Sequence, residues 1–235
     1  AFRHERNIPE PIERVDSTAI VWRKTTSAAT PGRRFLGLRA RRNRPPLAPP
    51  IPEGAVDLSV VVVFYNMRRE ATRTLHSLTR AYQQGVENTD YEVIVVENGS
   101  SEDERLGDEF VRSFGPEFRY VDLGRDASPT PVIALNHGID LARGRAIALM
   151  IDGAHVLSPG VLKYGLAGLA TYEPAIVATQ QWYIGPGDQG DAMITGYDQA
   201  YEDGLFAAIE WPSDGYRLFD IGSFIGDRDW FDGLW

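Results

Sequence analysis

The sequence predicts an α/β fold, a mostly parallel central sheet flanked by helices, and three observations carry that reading. Val60 to Val63 and Val93 to Val96 are apolar at every position. A strand exposed on one face alternates, whereas an unbroken β-branched run suits a strand covered on both faces, as in a parallel sheet between helices. The strand-like runs are separated by helical stretches of ten or more residues, which implies right-handed βαβ units. Finally, each run stops abruptly in polar residues: Tyr65-Asn66, Glu97-Asn98, and Asp152 with His155. Ligands of such sheets sit beyond the carboxyl ends of the strands, so these three tips predict one shared rim.

The elements follow in order from Asp57. Ser59–Phe64 reads as the first strand. Arg68–Gln84 reads as a helix with Ala71, Leu75, Leu78, Ala81 and Tyr82 on one face. Tyr91–Val96 is the second strand. Ser100 or Ser101 offers a helix N-cap followed by acids that suit the helix dipole, and that helix runs to about Phe114. Phe118–Asp122 is a short strand. Pro129–Ala142 is a helix closed by Arg143-Gly144. Ala146–Ile151 is a third buried strand, Pro159–Tyr172 a helix and Ala175–Tyr183 a strand. Gly185 to Gly190 reads as a flexible loop that lacks the strand–loop–helix setting of a phosphate loop. A helix over Tyr197–Ile209 and an aromatic-rich tail end the chain.

Residues 1–56 differ in character. They hold 11 of the 24 Lys and Arg against 5 of the 33 acids, a balance of +6, which leaves −15 on the remainder. The tract Pro31–Pro52 is rich in Arg and Pro and has no apolar periodicity, so it reads as a linker or arm. A contact with a partner or with an anionic lipid surface is the sharper alternative. Ile20, Val21 and Trp22 form a short strand docked on the body in this reading. Residues 57–235 form the main domain, and an opening Ala1 and final Trp235 fit a domain truncated from a longer protein. The acidic body argues against broad nucleic-acid binding and suits a site that holds a divalent cation. No cysteine is present, which excludes disulfides and thiolate chemistry and fits a reducing, cytoplasmic setting. No apolar run reaches the roughly 20 residues of a membrane-spanning helix, and AFRHERNIPEP is not a signal peptide.

At the predicted rim, Glu97 and Asn98 can accept from and donate to a base or ribose edge, Tyr65 offers a flat face for stacking, and Asp152 can accept from ribose hydroxyls or bind a metal. SVVVVFYN with its following helix, YEVIVVENGSSED, and ALNHGIDLARGRAIALMIDGAHVLSPGVL together resemble a family 2 glycosyltransferase of the GT-A type, over about Leu58 to Val177. The resemblance implies a GT-A-type, Rossmann-like sheet. It sets Phe64, Tyr65 and Asn66 at the family's strand-one "YN" turn, against the nucleotide base. Glu97-Asn98-Gly99-Ser100 resembles the acidic "DDGS" turn, which implies that Glu97 grips the uracil or ribose. Ala134–Ile139 resembles "ARNxGI", which places Asn136 and Gly138 near the nucleotide-sugar. Asp152-Gly153-Ala154 falls at the family's DxD position. Ala154 carries no ligand atom there, so a cation, Mn2+ or Mg2+, would rest on Asp152 and His155, and an imidazole ligand favours Mn2+.

The implied reaction is inverting transfer of a sugar from a nucleoside-diphosphate sugar, with uridine diphosphate the expected carrier, to a hydroxyl of a glycan or small-molecule acceptor. Glu210 and Asp214 are the candidates for the general base. Trp211, Tyr216, Phe219, Phe224, Trp230, Phe231 and Trp235 form either an aromatic acceptor platform or a packing segment. The alternative to an enzyme is a catalytically weak nucleotide-sugar-binding module of the same fold. A nucleotidyltransferase would need a Gly-rich, basic loop after the first strand, and FYNMRRE has no glycine.

Overall fold

A computed structural model describes residues 21–24, 54–171, 175–187, 189–194 and 196–224. Ile20, the Pro31–Pro52 tract, Tyr172, Trp230, Phe231 and Trp235 lie outside the described residues. The first described strand is β1 (Val21–Lys24). The centre of the sheet is built from four parallel strands: β2 (Val56–Phe64), β3 (Tyr91–Glu97), β4 (Phe118–Asp122) and β5 (Gly144–Met150). With the short strand β6 (Ile176–Ala178), the sheet runs β4-β3-β2-β5-β1-β6, and β1 is antiparallel to both of its neighbours. This is the mostly parallel α/β sheet the sequence predicts. Its connections reverse direction between β2 and β5, the switch point at which such sheets open a crevice.

The unbroken valine runs take the middle of the sheet because helices cover both faces there. Leu58 to Phe64 and all of β3 are buried. On one face Val60, Val62, Val93 and Val95 pack beneath α1 (Arg68–Ser77), α2 (Asp108–Arg112) and α4 (Val161–Thr171), through Leu75, Val111 and Leu162. On the other, Val61, Val63, Ile94 and Val96 pack beneath Ala134 of α3 (Pro131–Leu141). Each such buried side chain contributes about 1.5–3 kcal/mol, enough to override weaker local preferences. β5 departs from expectation. Ala146, Ala148 and Met150 are buried, but Ile147 and Leu149 are only half-covered, so its second face is incompletely roofed.

Two helices are shorter than their periodicity suggests. α1 ends at Ser77 rather than Gln84, because hydroxyls and an amide there compete for the backbone. Ser77 Oγ donates to Thr74 O at 2.7 Å, and Gln83 Nε2 donates to Ser77 O at 2.7 Å. α2 spans five residues instead of starting near Ser100. The peptide groups ahead of it are held by side chains: Leu106 N–H donates to Glu97, while the Arg68 guanidinium donates to the carbonyls of Arg105 and Leu106. The predicted strand Ala175–Tyr183 divides in two. β6 stays in the main sheet, whereas β7 (Trp182–Ile184) turns away to pair antiparallel with β8 (Gly222–Phe224). The expected loop over Gly185–Gly190 is also shortened, since Gln189-Gly190 opens helix α5 (Gln189–Ile194).

α6 (Gln199–Ala208), N-capped by Asp198, leans on α1. Arg73 of α1 reaches Glu202 at 2.7 Å and lies over the Phe206 ring at 4.1 Å. Trp211 packs edge-on against His76, 5.3 Å between ring centres, and donates from Nε1 to Tyr82 Oη at 3.3 Å.

At the amino ends of the strands a buried carboxylate ties four segments together. Glu92, 2% exposed, accepts from Ser59 Oγ at 2.7 Å and from Arg143 N at 2.8 Å. Arg119 Nη1 and Arg143 Nη2 each approach it at 2.9 Å. Ser59 Oγ in turn accepts from Gly144 N at 2.8 Å. β2, β3, β4 and the start of β5 therefore share one anchor, and the register it sets decides which residues meet at the opposite rim.

Candidate active site

Register brings the three predicted tips together. Phe64 lies opposite Glu97, and Glu97 opposite Asp122. Val62 lies opposite Met150, so two further residues bring Asp152 level with Phe64. Tyr65, just past the end of β2, is 57% exposed and leaves its ring open to solvent. Asn66 adopts a left-handed backbone, φ 51°, which Asn tolerates better than most residues. Its N–H donates to Ser100 Oγ at 2.8 Å, and its Oδ1 accepts from Ser101 N at 2.9 Å. Asn98 N–H donates to Phe64 O at 2.8 Å. The turns after β2 and β3 are thus laced to each other.

Glu97 and Asn98 are occupied within the protein. Glu97 is fully buried; Oε2 accepts from Leu106 N at 2.9 Å and Oε1 from the Ser100 hydroxyl. Tyr120 Oη stands 3.5 Å from Oε2. Burial holds the Glu97 carboxyl above the ordinary glutamate range, against the opposing pull of the Leu106 and Ser100 donors. Asn98 is clamped to Ser128, donating to its carbonyl at 2.9 Å and accepting from its N–H at 3.2 Å. Between them Gly99, φ 83°, passes so close to Ala127 that a Cβ would sit 2.6 Å from the Ala127 methyl.

The Asp152 turn rests on β2 and α1. Phe64 is fully buried beneath Gly153, where a Cβ would fall 2.0 Å from the ring. Thr74 Oγ1 donates to Gly153 O at 2.5 Å. Asp152 Oδ1 accepts from Ala154 N at 2.9 Å and lies 3.3 Å from His155 Nε2. Burial acts to raise the Asp152 pKa, but His155 and the Ala154 N–H outweigh it and hold the carboxyl below the usual range. Among the described residues, His155 Nε2 is buried and finds no hydrogen bond of good geometry. Among the described residues no group of three or more His, Cys, Asp and Glu is placed to share a metal ion. The Asp152–His155 pair has the spacing of two neighbouring ligands, since adjacent donors of an octahedral ion stand about 3.0 Å apart. Nε2 is the His155 atom that faces Asp152 in this pair.

The remaining predicted residues lie on α3 and beyond α6. Asn136 is exposed on α3, two positions from the sheet-facing Ala134. Gly138 is buried against β2 and β3, where a Cβ would meet Val61 Cγ1 at 2.3 Å, so it admits the helix to the sheet. Glu210 is exposed just beyond α6, and Asp214 caps the 3-10 turn Gly215–Asp220 by accepting from Tyr216 N at 3.0 Å. Of the aromatic tail, Trp211 is a packing residue. Phe219 and Phe224 stay partly exposed, edge-on to Trp182 at 5.3 and 5.6 Å. Thr74 and Arg68 emerge only from the structure as residues that shape the rim, and Ser100 gains there its bonds to Glu97 and Asn66. Ser100 stood within the acidic turn as a helix cap, and nothing in the spacing of Arg68 or Thr74 marked them.

The profile of the family described as "Glycosyl transferase family 2" matches residues 59–231. No curated protein matches the chain. Among solved structures, the chain is similar to "S. aureus TarS 1-349", with 24% identity over 49% of this chain and 32% of that chain, and a TM-score of 0.42. It is similar also to "S. aureus TarS", with 22% identity over 49% of this chain and 20% of that one, TM-score 0.41. The aligned part therefore spans about a third of the first structure and a fifth of the second. The profile match runs through β2, β3, β4 and β5 and every turn of the rim, and on that extent the chain belongs to glycosyl transferase family 2.

Proposed function

We propose that the chain moves a sugar from a nucleoside-diphosphate sugar, with uridine diphosphate as carrier, to an acceptor hydroxyl with inversion at the anomeric carbon. The observation that supports this most is the convergence of Tyr65, Asn66 and Asp152 at the switch point between β2 and β5. In this reading Tyr65 stacks on the base, and the laced turns of Asn66 and Asn98 shape the pocket edge. Asp152 and His155 hold a divalent cation, Mn2+ in preference to Mg2+. When bound, the cation offsets charge on the departing diphosphate. The acceptor oxygen bonds to the anomeric carbon as the bond to the diphosphate breaks; the diphosphate leaves with the electron pair, and a carboxylate takes the hydroxyl proton. Glu210 and Asp214 are the described acids proposed for that base, and Asp214 already accepts from Tyr216 N as a cap. The half-exposed Trp182, Phe219 and Phe224 rings are proposed to face the acceptor glycan or small molecule.

One observation favours a second reading, a nucleotide-sugar-binding module that transfers little: Ala154 supplies no carboxylate beside Asp152. The two are separated by following hydrolysis of a panel of nucleotide-sugars with Mn2+, using the parent protein and Asp152→Ala. Transfer predicts slow hydrolysis that the variant loses by about a hundredfold or more. The binding module predicts an upward thermal shift with uridine diphosphate and Mn2+ but no turnover. The absence of any shift with every nucleoside diphosphate would sink both.

A further inference from the structure

The rim contains one charged side chain that the ligand reading leaves without a route to the ligand. Glu97 sits at the carboxyl end of β3, where a nucleotide contact is expected, yet it is fully buried. Its two oxygens face inward to the segment that follows. Oε2 takes Leu106 N–H at 2.9 Å, and Oε1 takes the Ser100 hydroxyl. Ser100 Oγ passes the connection on by accepting Asn66 N–H at 2.8 Å, and Asn66 Oδ1 accepts Ser101 N–H at 2.9 Å. Arg68 grips the same segment from α1 through the Leu106 carbonyl at 3.2 Å. Residues 100 to 106 contribute no helix or strand of their own, so their shape is set by these side chains. A buried carboxylate that accepts from several donors at once fixes them more firmly than a neutral acceptor does.

We propose that Glu97 is a positioning residue: it fixes the 100–106 segment and, through Ser100, the Asn66 turn, so that it shapes the nucleotide pocket without touching the nucleotide. The proposal rests on the reading that the Tyr65-Asn66 rim receives the nucleotide. It differs from the direct grip implied by the family resemblance, and the two predict different coupling between residues. A direct contact through Glu97 is independent of Ser100. A positioning chain fails once when either link is cut.

The test is a double-mutant cycle of Glu97→Gln and Ser100→Ala with two readouts. The first is hydrogen exchange of the Leu106 and Asn66 amides in the protein without ligand. The second is affinity for uridine diphosphate with Mn2+, measured by calorimetry. Positioning predicts that each single variant speeds exchange at both amides and weakens binding by about tenfold. The double variant then binds no more than about twofold worse than either single one. The proposal is overturned if Glu97→Gln weakens binding while exchange at Leu106 and Asn66 stays as in the parent, or if the two losses multiply. Should Glu97→Gln fail to fold, Ser100→Ala alone still decides: unchanged exchange at Leu106 overturns the proposed chain. If the parent binds no nucleoside diphosphate, the nucleotide reading fails by itself, and the exchange data still show whether Glu97 holds the segment.

Discussion

Replacing Glu92 by Gln tests whether the amino-end anchor holds the sheet in register. The change keeps the volume but removes the charge that faces Arg119 and Arg143 at 2.9 Å each. It also replaces one acceptor oxygen with an amide group, which faces the Arg119 and Arg143 guanidiniums or the Arg143 N–H as a donor against donors. A broken buried pair costs about 3–5 kcal/mol. The two arginine side chains are 38% and 46% exposed, so water relieves part of the penalty on their side and about 3 kcal/mol is the better figure. For a domain of this size that lowers the Tm by about 6–12 °C. The pH dependence carries a sign. The hydrogen bonds from Ser59 and the two arginines hold the Glu92 carboxyl below its ordinary pKa of 4.5 despite burial. Its contribution is therefore complete above that value and is lost as pH falls through the lower, folded-state pKa. Thermal unfolding at pH 7 and at pH 3 should show a wide gap between parent and variant at pH 7 and a narrower one at pH 3. A Tm within about 1 °C of the parent at pH 7, or a gap that does not narrow in acid, refutes the reasoning.

Two further outcomes follow from the packing. Gly153→Ala drives a methyl into the Phe64 ring and should displace the Asp152 turn, which costs about 1–3 kcal/mol and abolishes any thermal shift given by Mn2+ with uridine diphosphate; a retained shift counts against that support. Burial lowers the His76 pKa from 6.5, so the unfolded chain binds its proton more readily and stability should fall as pH drops from about 6.5 through the folded-state value. Urea unfolding between pH 7.5 and 5 checks this, and His76→Phe, which keeps a ring against Trp211 and Tyr82, should flatten the dependence in that window.

The centre of the sheet was legible because burial on two faces leaves a direct mark on composition. Val60–Val63 and Val93–Val96 read as covered strands and are covered. The convergence of Asn66, Glu97 and Asp152 was legible for the same reason, since strand ends in a parallel sheet point one way. What could not be read was where each side chain spends its hydrogen bonds. From sequence Glu97 reads as a free carboxylate at a strand tip, whereas in the fold the Leu106 and Ser100 donors occupy it. The helix near Ser100 failed on the same ground: local capping signals lost to a tertiary competitor, the carboxylate and guanidinium that take the peptide groups first. Gly138 illustrates a different limit. Its position resembles part of a ligand motif, yet its missing Cβ serves the approach of α3 to Val61.

Among the described residues β1 alone joins β6 to the main sheet, and it also covers the outer side of β5. An expression boundary drawn at Ser59, where the family profile begins, would strip that cover and leave the β5 backbone as a bare template for intermolecular pairing. The unit to be produced intact therefore includes Val21–Lys24, and solubility trials of shortened versions should treat that short strand as part of the body and not as a dispensable leader.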